Sequence, residues 1–133
     1  MRSIFHRGLL GLTLLGALAS CARDDSIEYY PADQVDVRQV AVERGGVLVV
    51  DYRCAAETMW YCPGSDLERI GDTLVMRFPR VWFRDEFLPD AGREQRGDRS
   101  RVRVGAMNGV KRVVVADAGS EREVWRDGRF VGR

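Results

Sequence analysis

Histidine and lysine are almost missing from this chain: among its 133 residues only His6 and Lys111 are of those types. His6 stands near the N-terminus. A Ser-His-Asp triad, a Cys-His pair, a histidine metal site and a histidine general base therefore have no candidate from residue 21 onward. Lys111 is the one residue a Ser-Lys mechanism could use, and it lies beside a turn signal, where an exposed charge is the ordinary explanation. The 14 glycines form no phosphate loop of the P-loop or dinucleotide kind. Carboxylates are plentiful. Asp85 with Glu86, or Asp90 with Glu94, could serve glycoside hydrolysis only as a pair about 5 to 9.5 Å apart in a walled cleft. In a chain with 20 acidic residues such neighbours arise by chance. The sequence reads as non-catalytic, with no cofactor and no metal site.

The N-terminus carries a processing signal. Arg2 and Arg7 open it with positive charge, no acidic residue precedes Asp24, and residues 8–19 are apolar apart from Thr13. Such a run is shorter than the roughly 20 apolar residues that span a bilayer core, and it reads as the apolar region of an export signal. It ends in Leu18-Ala19-Ser20-Cys21, an aliphatic residue, two small residues and a cysteine. This resembles the lipobox of bacterial lipoproteins. The resemblance covers the first 21 residues and implies cleavage before Cys21, a diacylglycerol on its thiol and usually an acyl chain, such as palmitate, on the new amino terminus. Each buried CH₂ contributes about 0.8 kcal/mol, so two or three such chains make a durable membrane anchor. Ala22, rather than Asp, after the cysteine resembles lipoproteins released to the outer membrane of Gram-negative bacteria. The implied location is the cell envelope, the outer membrane before the inner, with the domain in the periplasm.

Cleavage removes Arg2 and Arg7 from the 21 basic residues, leaving 19 against 20 acidic ones. No global field invites nucleic acid, and export argues against it as well. Residues 1–20 are thus read as signal peptide, residues 21–34 as a polar lipidated tether, and residues 35–133 as one domain of modest core. Tyr29 and Tyr30 fall in the tether. Committing Cys21 to lipid leaves Cys54 and Cys62 as an even pair, for which export makes a disulfide the default. The rival reading, a metal or redox pair, lacks both the Cys-x-x-Cys spacing and a histidine.

From residue 35 the vocabulary is valine with alternation, which predicts strands. Residues 35–42 and 47–52 flank a glycine-bearing loop. A three-residue loop, residues 44–46, sets Val42 opposite Leu48 and Val40 opposite Val50, with glycine in the left-handed position. Cys54 continues the buried parity. Residues 65–70 predict at most a short helix or turn. Residues 73–78 put Leu74, Met76 and Phe78 on one face, and residues 81–83 resume after Pro79, which marks an edge or bend. Phe78 and Phe83 are expected in the core. Residues 85–99 read as a charged, mobile loop. Asn108-Gly109 predicts a type I′ hairpin pairing Val104 with Val113 and Val102 with Val115. Across that ladder Arg103 and Arg112 would be diagonal neighbours. Asp127-Gly128 predicts a turn setting Trp125 opposite Phe130 and Arg126 opposite Arg129. The expected fold class is all-β, mainly antiparallel, a small sandwich or partly open barrel of about six or seven strands.

Arginine supplies the binding candidates. Residues 93–112 hold seven basic side chains against Glu94 and Asp98, so Arg101, Arg103 and Arg112 predict a face for an anionic partner such as lipid or lipopolysaccharide phosphates, or for another envelope protein. Its plain alternative is a solvated face. Alternation in residues 80–84 places Arg80, Trp82 and Arg84 on a second face, with residue types enriched at binding hot spots; core filling is the plain reading of Trp82. Tyr52-Arg53-Cys54 at a strand end, the cysteine pair and Trp125-x-x-Gly128 are similar to fragments of the periplasmic lipoprotein inhibitors of c-type lysozyme, small β-barrels. That resemblance implies, as an alternative function, inhibition of a secreted enzyme. The Ser-Gly-x-Arg-Tyr stretch by which the family engages lysozyme is absent, and no binding residues carry over.

Overall fold

A computed structural model describes residues 27–105 and 107–132. The segment read as an export signal, Cys21 and Ala22 lie outside these residues. The chain is all-β. Its strands are β1 (Val35–Glu43), β2 (Val47–Cys54), β3 (Trp60–Tyr61), β4 (Gly64–Ile70), β5 (Thr73–Arg77), β6 (Val81–Trp82), β7 (Ala91–Gly92), β8 (Glu94–Arg96), β9 (Arg99–Val104), β10 (Arg112–Ala116), β11 (Glu121–Arg126) and β12 (Arg129–Phe130). Seven of them have five residues or more, and the others are short clips.

Two sheets share one core. The first runs β1-β2-β9-β8, and the second, curled into a half-barrel, runs β12-β11-β10-β5-β4-β7. All pairings are antiparallel except that of β10 with β5. Val40, Leu48, Val50, Tyr52, Val102 and Val104 from the first sheet pack with Leu74, Met76, Val113, Val115 and Trp125 from the second. The β1–β2 hairpin has the expected register, Val40 opposite Val50 and Val42 opposite Leu48. Gly45 and Gly46 both take positive φ there, 82° and 76°, which glycine adopts without steric cost. A bulge between Val37 and Gln39 switches the buried parity from Val35 and Val37 to Val40. Trp125 meets Phe130 and Arg126 meets Arg129 around Asp127-Gly128, as the turn signal predicts.

Four expectations are corrected. Residues 65–70 are not a helix: they lie in β4, joined to β5 through Gly71-Asp72, with Gly71 at φ 62°. A tight turn beside a buried strand overrides the helical propensity of Leu67, Glu68 and Arg69. Residues 85–99 are not one loop. Ala91 pairs with Ser65, Gln95 pairs with Ser100, and Asp90 accepts the Leu67 amide at 2.8 Å. Nor do β9 and β10 form a hairpin. Val102 and Val104 pair instead with Val50 and Leu48, while Val113 and Val115 pair in parallel with Leu74 and Met76. Only Gly109 of the Asn108-Gly109 pair has positive φ, so the two left-handed residues of a type I′ turn are not present and the chain crosses from one sheet to the other. The four valines are buried all the same, divided between the two sheets. Arg103 and Arg112 consequently lie in different sheets. Phe83, finally, is 48% exposed rather than in the core, whereas Phe78 is fully buried.

The segment read as tether joins the fold before residue 35. Tyr30 and Ala32 are buried, the Tyr30 amide donates to Phe78 O at 2.9 Å, and the Arg80 amide donates to Glu28 O at 2.8 Å. A short 3₁₀ turn, Ala32–Gln34, follows. Its Ala32 amide donates to Asp117, whose carboxylate also accepts from the Gly119 and Ser120 amides. These donors hold the Asp117 carboxyl well below the usual carboxylate range.

Candidate functional site

The arginines singled out in the sequence are occupied. Arg101 stands directly opposite Asp51 and holds it by two bonds, Nε to Oδ1 at 2.6 Å and Nη2 to Oδ2 at 3.0 Å. Arg103 reaches Glu43 at 2.6 Å and Glu94 at 3.1 Å, and Arg112 reaches Glu123 at 2.7 Å. Asp51, Glu43 and Glu123 lie outside residues 93–112, so these three arginines are paired by charges that the local count leaves out.

This pairing has a consequence for acid stability. Arginine hydrogen bonds hold Asp51 and Glu123 below their ordinary values, and backbone donors do the same for Asp117. Unfolding returns these groups to about 3.8 for Asp and 4.5 for Glu. Below that range the unfolded chain takes up protons that the folded chain does not, so the stabilisation present at neutral pH is lost as pH falls. The melting temperature is expected to stay level above about pH 5.5 and drop steadily below about pH 4.5. Calorimetry across this range checks it, and a flat profile down to about pH 3 contradicts it.

The other candidates converge on an aromatic edge. β3 and β6 form a two-stranded clip in which Trp60 lies opposite Trp82, with ring centroids 5.4 Å apart in an edge-to-face arrangement. Phe83 packs on Trp82 at 5.1 Å and donates its amide to Met59 O at 2.9 Å. Met59 and Phe83 are 42% and 48% exposed, so the clip presents apolar surface to solvent. Arg80 lies across Trp60, its guanidinium carbon 4.3 Å from the ring centroid. Glu57 binds it at 2.6 Å and Glu28 at 3.0 Å, and Glu57 also accepts from Tyr30 Oη at 3.0 Å. The Arg80 bond draws the Glu57 carboxyl below its ordinary value. Arg84 sits over Phe83 at 5.3 Å. Arg80, Trp82 and Arg84 thus do share one end of the molecule, whereas Arg101 and Arg103 share the outer face of β9 and Arg112 lies on β10 in the other sheet.

Trp60 is a wall common to two clefts. One, of about 440 Å³, is closed by Glu28, Arg80, Trp82 and the turn bearing Asp85, Glu86 and Phe87. The other, of about 350 Å³, is lined by Tyr30, Tyr52, Cys54, Glu57, Cys62 and Arg93. The expected disulfide is not formed in this structure. Cys54 and Cys62 are free thiols that line this same cleft. Cys62 Sγ donates to Gly64 O at 3.1 Å and lies 3.9 Å from Tyr52 Oη. The neighbouring Cys62 thiol, reinforced by burial, pushes the Cys54 thiol up.

Sequence reasoning missed Met59, Trp60 and Glu57, which lie in a stretch without periodicity. The available signal was the aromatic pair Trp60-Tyr61 immediately before a cysteine. The fragments similar to lysozyme inhibitors end up apart, Tyr52 to Cys54 on β2 and Trp125 to Gly128 at the β11–β12 turn in the other sheet. Among the described residues no helix is long and apolar enough to cross a membrane, and no group of three or more Cys, Asp, Glu or His side chains is placed to hold a metal. No family model, curated protein or solved structure matches the chain.

Proposed function

We propose that the chain is a non-catalytic binding lipoprotein of a bacterial cell envelope, anchored by lipid on Cys21 and holding another envelope protein through its aromatic edge. The observation that carries the binding half is the aromatic cluster at the two-stranded clip, where half-buried Trp60 and Trp82 are flanked by exposed Met59 and Phe83. Tryptophan, phenylalanine, methionine and arginine are the residues enriched where proteins meet. The pairing of Arg101, Arg103 and Arg112 with carboxylates favours this partner over an anionic lipid. The anchoring half is supported by the lipobox resemblance, with Ala22 favouring the outer membrane and a periplasmic domain.

A photo-crosslinking side chain in place of Phe83, in the full-length chain in its own envelope, tests the reading. A discrete protein adduct is expected. The same group at Val42, which is also exposed but lies at the end of β1, is expected to give none. Cys21→Ser should move the chain out of the membrane fraction and reduce the Phe83 adduct. Identical products from both positions, or none from Phe83, overturn the binding half; unchanged membrane association of Cys21→Ser overturns the anchoring half.

A further inference from the structure

We infer that the cleft beside Trp60 and Trp82 takes a basic side chain, lysine or arginine, presented by the partner protein close to the membrane surface. The inference rests on the reading of the aromatic edge as a partner surface. At about 440 Å³ the cleft falls within the size range of sites that enclose a ligand group. Indole faces attract cations, and the chain already demonstrates the pairing with its own Arg80 over Trp60. The charges around the mouth favour a cation too. Among the residues lining it, Glu28, Asp85 and Glu86 stand with Arg80, three carboxylates against one guanidinium, a net of −2. Arg80 is held by Glu57 and Glu28, and Arg84 lies over Phe83. Among the described residues, Asp85 and Glu86 have no side-chain ion pair or hydrogen bond. They are the unspent charges of the site.

Position relative to the anchor argues for a partner at the same membrane. Ile27 lines this cleft and Cys21 is six residues before it. An extended chain covers at most about 3.6 Å per residue, so the cleft lies within about 22 Å of the lipidated cysteine. A mouth of negative charge is repelled by anionic headgroups, so the complementary surface is a basic protein segment rather than the bilayer.

The mature lipoprotein in neutral detergent, titrated with a lysine pentapeptide and followed by tryptophan fluorescence, tests this. A saturable change that weakens as salt rises is expected. Asp85→Asn with Glu86→Gln should weaken it about tenfold at an unchanged melting temperature, while Asp33→Asn with Glu121→Gln, which removes the same charge elsewhere, should leave it intact. No saturable change, equal weakening in both double variants, or a stronger response to a neutral oligosaccharide, a glutamate pentapeptide or phosphatidylglycerol vesicles overturns the inference. The Phe83 adduct separates the two levels. If it forms undiminished in the Asp85→Asn, Glu86→Gln chain, the partner surface stands and the cation does not; if it fails in the unaltered chain, the partner surface itself falls.

Discussion

Replacing Gly64 by alanine is expected to cost about 3 kcal/mol or more of folding free energy. A Cβ there would stand 1.9 Å from the Ala91 carbonyl oxygen and 2.9 Å from Pro89 Cγ, on a residue at φ 152°. Neither neighbour is the free end of a flexible side chain. Ala91 is paired with Ser65, and the Arg93 amide donates to Pro63 O at 2.9 Å, so β7 is clamped against β4. The methyl group would prise this clip open and release the Asp90 bond to Leu67. Gly71→Ala is the control. Its φ is also positive, 62°, but the space around it is open, so a loss nearer 1 kcal/mol is expected. Urea unfolding of the two variants checks the difference, and equal losses would show that the close approach of β4 and β7 is not what holds Gly64.

Oxidising Cys54 and Cys62 to a disulfide is expected to stabilise the protein by about 2.5 kcal/mol on the chain-entropy estimate for so short a loop. In a domain of this size that raises the melting temperature by about 10 °C. The two thiols line one cleft, and the compartment implied by the lipobox is oxidising. Protein taken from the envelope, denatured without reductant, should show no free thiol, and reductant should lower its melting temperature to that of Cys54→Ser. Two titratable thiols, with no effect of reductant, would contradict the prediction. The bridge also bears on the site, because Trp60 lies between the two cysteines and the bond would fix the loop that carries it.

Features encoded by neighbouring residues were legible in the sequence. The β1–β2 and β11–β12 registers follow from valine alternation and turn glycines a few positions apart. Features decided by competition between distant strands were not. Val102 and Val104 have equally good apolar partners in Val113, Val115, Val50 and Leu48, and the opposed charges of Asp51 and Arg101 add to the choice of β2. The arginine count over residues 93–112 was misleading for a related reason, since Asp51, Glu43 and Glu123 reach those arginines from outside the window. At the aromatic edge, Arg80 and Trp82 were visible through their alternation. Trp60 and Met59 were not, because a two-residue strand leaves no period to read. Phe83 was misplaced because its spacing from Val81 suggests a continuing strand, whereas β6 stops at Trp82 and the chain turns, the Asp85 amide donating to Trp82 O at 2.9 Å.

The Phe83 crosslink, repeated with Trp82→Ala, tests most directly the claim that an anchored β domain holds its partner by this edge. Trp82 is half-buried on a two-residue strand outside both main sheets, so its removal should leave them folded. Loss of a buried aromatic anchor at an interface costs about 2 kcal/mol or more, so the adduct is predicted to fall at least tenfold while the melting temperature moves by only a few degrees. An adduct formed in full yield without Trp82 would contradict the claim.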